Sequence, residues 1–483
     1  MSSTAQESLL GAWRPLAEKA LKGQSLDTLD TETASGIRLG PLFAAADPSY
    51  LGRPTLGPWQ VVARADAADA AEQARTDLEN GVAALALVFA GAPSAFGRGL
   101  AIGSLGELDA ALGGVMLDIV PLRLEAGHGA LAAAAMVAAL ADKRGTRPAA
   151  LHAGIDPVGT FAFTGIAPTW SDPSALADAV AGVKAIGAPG TALLADGRIA
   201  AEAGAAPATE LAFALHSLAA MLRLADAGGL AAADALAATS MALSANENQF
   251  ATIAKFRAAR RLHRLVADAC GSDAPLVLHG ETARRMLAYS DPQTNLLRLT
   301  IATFAAGVGG ADSVSVLPFD AEASPFARRM ARNIQSLLIE ESHVGRLSDA
   351  GAGSGAVEAY TDALAEAAWT RFQLFESEGD AVASGKVAEM VASDRASAEK
   401  KLAAKDRVMI GVTIHPPTTA TPVPPEPAAS PLPTGTFAAG DFASLKAASA
   451  DGSSLADLAI APPADAATCP PLTPSRVAAS FGG

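Results

Sequence analysis

His279 and Glu281 close a short apolar segment and are of the types that make a general acid–base pair; the alternative is a pair of rim residues without chemistry. Asp156 and Asp196 also follow apolar segments, where we read an aspartate as starting a turn or helix rather than as a catalyst. Glu340, Glu341 and His343 resemble a ligand cluster, but 340 and 343 share one helical face and read as ordinary solvated charge. Lys255, Arg257, Arg260, Arg261 and Arg264 form a basic helix that would suit phosphate; a salt-bridged or solvated face is the reading we adopt. The pair Gly309-Gly310 carries little alone, because no G-x-G-x-x-G follows a strand. Cys270 and Cys469 are too far apart to suggest a disulfide framework or a metal-ligand spacing, which points to a reducing cytoplasm.

These residues need elements to hold them. Short apolar segments recur at Trp59–Ala63, Ala84–Phe89, Val115–Ile119, Pro148–His152, Thr191–Ala195, Thr239–Ser244, Pro275–Leu278 and Ser313–Leu317, with helical stretches between them. Eight βα units of this size predict an α/β protein built on a (β/α)8 barrel, a doubly wound open sheet being the alternative. Three connecting helices are legible at Asp66–Glu79, Ser171–Ile186 and Ala206–Asp226. We expect an N-terminal arm over residues 1–56, the barrel over 57–385, a helical extension over 386–415 and a proline-rich tail over 416–483. The arm contains a helix at Glu7–Leu21 and a loop at Pro41–Asp47, and should pack on its own barrel or on a partner. From Pro416 to Pro433 prolines remove backbone donors, so the tail is expected to run extended, draped over something or mobile.

A net charge of −14 and a pI near 5.0 argue against nucleic acid or an anionic membrane surface as a partner. The longest apolar run, Ala130–Ala141, is short of the ~20 residues that span a bilayer. The N-terminus shows no basic segment leading into an apolar one, so no secretory signal is expected.

Several ordered segments carry a family resemblance: E-A-G-A at Glu202, E-L-A-F at Glu210, I-A-K-F-R-A-A-R-R-L from Ile253, D-P-Q-T-N-L-L-R-L-T from Asp291, and F-A-A-G-V-G-G-A-D from Phe304. V-L-P-F-D from Val316, A-R-R-M-A-R-N-I-Q from Ala327 and T-D-A-L-A-E-A-A-W from Thr361 continue the order. Over residues 12 to 412 the chain resembles the methylmalonyl-CoA mutase family.

The departures from that family's wording are informative. Its signature S-G-Y-H-x-x-E-A-G-A appears here as D-G-R-I-A-A-E-A-G-A from Asp196, which puts Arg198 and Ile199 at the positions of the working Tyr and His. Its strand-eight histidine corresponds to Ser315. None of the seven histidines sits in the D-x-H-x-x-G that presents an axial ligand to cobalt, and no cobalamin-binding domain is expected after Ile414. The resemblance therefore implies a catalytically silent small (β) subunit that binds no cofactor. A larger catalytic subunit would hold adenosylcobalamin and the acyl-CoA in a heterodimer. The enzyme-class alternative is the barrel half of a split mutase served by a separate cobalamin-binding protein, and a third reading is a module that binds acyl-CoA without reacting.

Overall fold

A computed structural model describes residues 3–419, 421–423, 435 and 441–481. Eight parallel strands close into a barrel: β1 (Gln60–Ala65), β2 (Ala84–Val88), β3 (Leu122–Glu125), β4 (Leu151–Ile155), β5 (Gly190–Asp196), β6 (Thr239–Ala245), β7 (Val277–Thr282) and β8 (Ser313–Ser315). β8 pairs with both β7 and β1, in register Ser315 to Glu281 and Ser315 to Val62, so no edge is left open. The expected (β/α)8 barrel is the fold.

Each strand leads into a helix that covers it: α1 (Ala70–Glu79), α2 (Leu105–Ala111), α3 (Ala130–Arg144), α4 (Pro173–Ala185), α5 (Pro207–Ala227), α6 (Gln249–Ala269), α7 (Pro292–Val308) and α8 (Pro325–Ser336). Their starts are written in the sequence. Proline occupies the first turn of α4, α5, α7 and α8, where a missing N–H costs nothing. Asp172 accepts from Ser174 N and Ala175 N at the head of α4, and Ser324 accepts from Ala327 N at the head of α8. α3 is buried throughout Ala130–Ala141 and stops at Gly145, whose φ of 63° is a left-handed cap that favours glycine.

The third strand lies several residues beyond the expected Val115–Ile119. Met116 and Ile119 of that segment are 60% and 61% exposed, in the turn before β3. In β3 itself Leu122 and Leu124 join the apolar layer under the helices, while Arg123 and Glu125 alternate with them and face the barrel axis. Two charges in four residues disguise a strand whose inner face is polar.

α5 is long and apolar enough to cross a membrane, yet 78% of its most apolar window is buried inside the protein. It is a core helix packed against α9 (Gly355–Ser377), at the place where the sequence predicts a helix over Ala206–Asp226.

Beyond the barrel, α10 (Lys386–Ala403) lies near the short helix Arg198–Ala203 that follows β5. The stretch before the barrel holds a helix at Ser3–Ala20 and a two-stranded hairpin, Thr31–Glu32 with Arg38–Leu39. Residues 46–53 are fastened to the barrel, Arg53 Nη1 donating to Gly307 O at 2.7 Å and Ser49 N to Glu358 Oε1 at 3.1 Å.

Most of the proline run from Pro416 to Pro433 lies outside the described residues. Further along, the tail expected to be extended contains a helix, α11 (Phe442–Ala450), capped by Asp441 and packed on α3 and α4. Between two proline clusters, F-A-S-L-K-A-A-S-A has the composition of a helix former. Phe442 and Leu445 are 4% and 1% exposed; the phenyl ring lies over Gly182 of α4, where an added Cβ would meet it at 2.2 Å. Residues 465–477 then return to the C-terminal rim of the barrel.

Candidate functional site

Side chains alternate across a strand, so Arg64 on β1, Arg123 and Glu125 on β3, His279 and Glu281 on β7 and Ser315 on β8 share the inner face. Arg64, Glu125, Glu281 and Ser315 lie at or near the C-terminal ends of their strands, the end at which barrels of this type carry their chemistry, with Arg123 and His279 one inward-facing position deeper. Asp196 ends β5, and Arg198 opens the helix that follows it.

Arg198 is the hub. Its Nη2 lies 2.7 Å from Glu125 Oε2 and 2.7 Å from Asp196 Oδ2, its Nε donates to Asp196 Oδ1 at 2.8 Å, and its Nη1 lies 3.3 Å from Glu281 Oε1. Glu281 is shared with Arg64, 2.6 Å away, which also donates to Ser94 O and lies 3.4 Å from Asp66. Arg123 approaches Glu125 Oε1 at 3.0 Å, and Ser94 Oγ donates to Glu125 Oε2. Arg328 pairs with Asp66 at 2.7 Å. Arg64, Asp66, Arg123, Glu125, Asp196, Arg198 and Glu281 are each no more than 6% exposed. The mouth is therefore filled by charge that compensates itself.

Burial alone would raise the Glu125 carboxyl, but Arg198 and Arg123 outweigh it and hold it down at about 2. Burial disfavours the Arg198 cation too, yet Asp196, Glu125 and Glu281 together drive its pKa well above the usual value. A layer below, His152 is pushed down to about 3 by burial and by Arg123. His279 is driven well below the ordinary histidine range by burial, by Arg123 and by Arg198. Its Nδ1 lies 2.8 Å from Ser313 Oγ.

His279 and Glu281 thus do not form an acid–base pair. The imidazole is bonded to Ser313, and the carboxylate is engaged by two arginines. Arg198 does not pair with Glu202, the acid one turn along its own helix, but with acids from β3, β5 and β7. Glu202 accepts instead from Arg284 N at 2.8 Å and Arg285 N at 3.0 Å, tying the loop after β5 to the loop after β7. Ile199 packs away from the axis among Phe161, Ala200, Ala203 and Phe213. Ser315 is fully buried on β8 beside Glu281.

Asp156 is a helix-start residue: it accepts from Gly159 N at 2.7 Å, and also from Asp196 N and Ser217 Oγ. Asp196 accepts both the backbone N–H and the guanidinium of Arg198. Glu340, Glu341 and His343 lie at the opposite end of the barrel, next to Gly345, which abuts Pro58 just before β1. The basic α6 is paired within the chain: Lys255 with Glu210, Arg257 with Asp349 and Glu358, Arg260 with Asp312, Arg261 with Asp362 and Arg264 with Asp268. Gly310 sits at φ +97° and its carbonyl accepts from Arg260. Among the described residues no group of three His, Cys, Asp or Glu side chains could hold a metal ion.

The sequence reading missed Arg64, Arg123 and Glu125. The available signal was a charge at alternate positions inside short strands of small apolar residues, V-V-A-R-A and L-R-L-E.

The site fixes a pH response. Burial pushes Asp156 and Glu202 up to about 7, aided by Asp196 at the first and opposed by Arg284 at the second. A carboxyl raised in this way holds its proton more tightly in the folded chain. Its stabilisation is full below its unfolded pKa and lost as pH rises through the folded one, up to about 3 kcal/mol for Glu202. Glu125, held low, behaves oppositely, and its contribution disappears as pH falls from about 4 towards 2. The thermal midpoint should therefore peak near about pH 5 and fall by about pH 8, with Glu202→Gln flattening the alkaline side. A midpoint that climbs between those values in both proteins would contradict these assignments.

The family described as methylmalonyl-CoA mutase matches residues 56–430. The methylmalonyl-CoA mutase small subunit of Streptomyces virginiae is 37% identical over 459 residues, covering 88% of this chain and 73% of that relative. The small subunit of Propionibacterium freudenreichii subsp. shermanii is 30% identical over 441 residues, 85% of this chain and 67% of the relative. A protein of Cereibacter sphaeroides named simply methylmalonyl-CoA mutase is also 30% identical, over 456 residues, 83% of this chain and 64% of its own length. Overall similarity thus extends to proteins of both names.

Proposed function

The chain belongs to the methylmalonyl-CoA mutase family, and we propose that within it this chain is a small, catalytically silent subunit that stabilises a larger catalytic partner in a cytoplasmic heterodimer. The partner would bind adenosylcobalamin and interconvert methylmalonyl-CoA and succinyl-CoA. The observation that carries this reading is the guanidinium of Arg198 lodged among Glu125, Asp196 and Glu281 where the family places an aromatic ring.

Cobalamin supplies homolysis of a cobalt–carbon bond to reactions of this class, while the protein supplies position, electrostatics and exclusion of water. The residues here do not suit that group. The inner face offers self-compensated ion pairs, and its two histidines, His152 and His279, are held neutral below the mouth by burial and by Arg123. At the family's histidine position Ile199 has no proton to give at any pH, and Ser315 offers a short neutral hydroxyl in place of an imidazole. The chain's own groups therefore fill the barrel mouth, and neither Ile199 nor Ser315 replaces the proton donors of the family's signature.

Co-expression tests the proposal. A longer family member bearing D-x-H-x-x-G, produced with this chain, should co-purify with it as a one-to-one complex and melt at a higher temperature than when produced alone. A longer chain that is equally stable by itself and elutes separately would end the proposal.

A further inference from the structure

Residues 465–477 cross the C-terminal rim and bond in turn to three of its loops. Ala167 N donates to Ala467 O at 3.0 Å and Cys469 N to Gly165 O at 2.9 Å, beside the helix after β4; Leu472 N donates to Ala162 O at 2.7 Å on the same helix. Ser475 N then donates to Glu202 O at 2.9 Å after β5, and Val477 N to Arg285 O at 2.9 Å after β7. Arg285 returns the contact, its Nη1 donating to Ser475 O at 2.8 Å and Ser475 Oγ at 2.7 Å.

Side chains anchor the same course. Leu472 is 4% exposed within the apolar cluster that holds Ile199 and Phe161, and Arg476, 2% exposed, places its guanidinium 4.6 Å from the Tyr289 ring centroid. Pro470 and Pro471 stiffen the segment between the Cys469 and Leu472 bonds, and Pro474 precedes the bond from Ser475. Gly165, at φ +78°, lets it approach closely, since an added Cβ would meet Cys469 O at 2.8 Å.

Glu202 and Arg285 are the crossing point. The Glu202 carboxylate already ties the β5 loop to the β7 loop through Arg284 N and Arg285 N, and its carbonyl takes the strap. These loops belong to the rim at which barrels of this type admit ligands. The strap also lies beyond residues 56–430, the part that matches the family. We propose that residues 465–477 are a latch that locks the β4, β5 and β7 rim loops in the closed arrangement, so that this face opens only when the latch lifts.

Hydrogen exchange on the full chain tests this directly. Ser475→Pro removes the N–H that reaches Glu202, and Arg476→Ala removes the anchor on Tyr289. In both variants the amides of Ala167, Cys469, Leu472, Arg284 and Arg285 should exchange about tenfold faster, while those of β1 to β3 keep their native rates. Unchanged rates at the rim in both variants would show that the strap lies on the loops without holding them. Faster exchange throughout the barrel would show a component of the core rather than a latch. Either outcome overturns the proposal.

Discussion

Arg198→Ala should lower the unfolding free energy by about 3–5 kcal/mol, among the largest effects of any single substitution in the chain. The side chain is 5% exposed and answers three carboxylates, so its removal leaves Glu125, Asp196 and Glu281 buried at one spot with only Arg64 and Arg123 to share. Glu125 would lose the cation that contributes most to holding it near 2, and its carboxyl would take up a proton more readily. Arg198→Lys should recover only part of the loss, because an ammonium cannot span three acceptors as a planar fork does. Arg198→Tyr combined with Ile199→His, which writes the family signature back, should be as destabilised as alanine and gain no turnover. The carboxylates from β3 and β7 would still crowd the mouth. Chemical denaturation midpoints check the series; an Arg198→Ala protein within about 1 kcal/mol of native would mean that the network contributes nothing to stability.

Arg257→Ala should cost a similar amount, about 3–5 kcal/mol, for a different part of the molecule. Arg257 is fully buried on α6, pairs with Asp349 and with Glu358 at 2.8 Å, and donates to Ser49 O at 2.9 Å. One guanidinium thus fastens the N-terminal arm, the loop before α9 and α9 itself to the barrel wall. Its loss strands two acids and a carbonyl, and amides near Ser49 and Leu51, whose N–H groups donate to Glu358 and Asp349, should lose protection first. Exchange rates at those two amides separate this local release from general loosening. An Arg257→Ala protein of native stability and native protection there would contradict the assignment.

Seven of the eight strands were legible because their segments are short, small and apolar and are spaced by helical stretches. β3 was not, since Arg123 and Glu125 interrupt it for the sake of the barrel axis. The same property made the mouth hard to foresee. Arg64, Glu125, Arg198 and Glu281 are far apart in sequence and meet only when the barrel closes, so no local pattern announces them. Arg198 and Ile199 were legible as departures from a signature, but the partner of Arg198 was not. Glu202 is the nearby acid on the same helix, whereas Asp196, at the end of the preceding strand, is placed to accept both the N–H and the guanidinium of Arg198. The helix α11 was concealed by the prolines on either side of it.

The most direct measurement is made on the purified chain alone, mixed with adenosylcobalamin and methylmalonyl-CoA. Succinyl-CoA should stay at the level of a protein-free control, and the protein fraction from gel filtration should carry no corrin absorbance. Succinyl-CoA above that control, or cobalamin that travels with the protein, would contradict the assignment of a silent subunit.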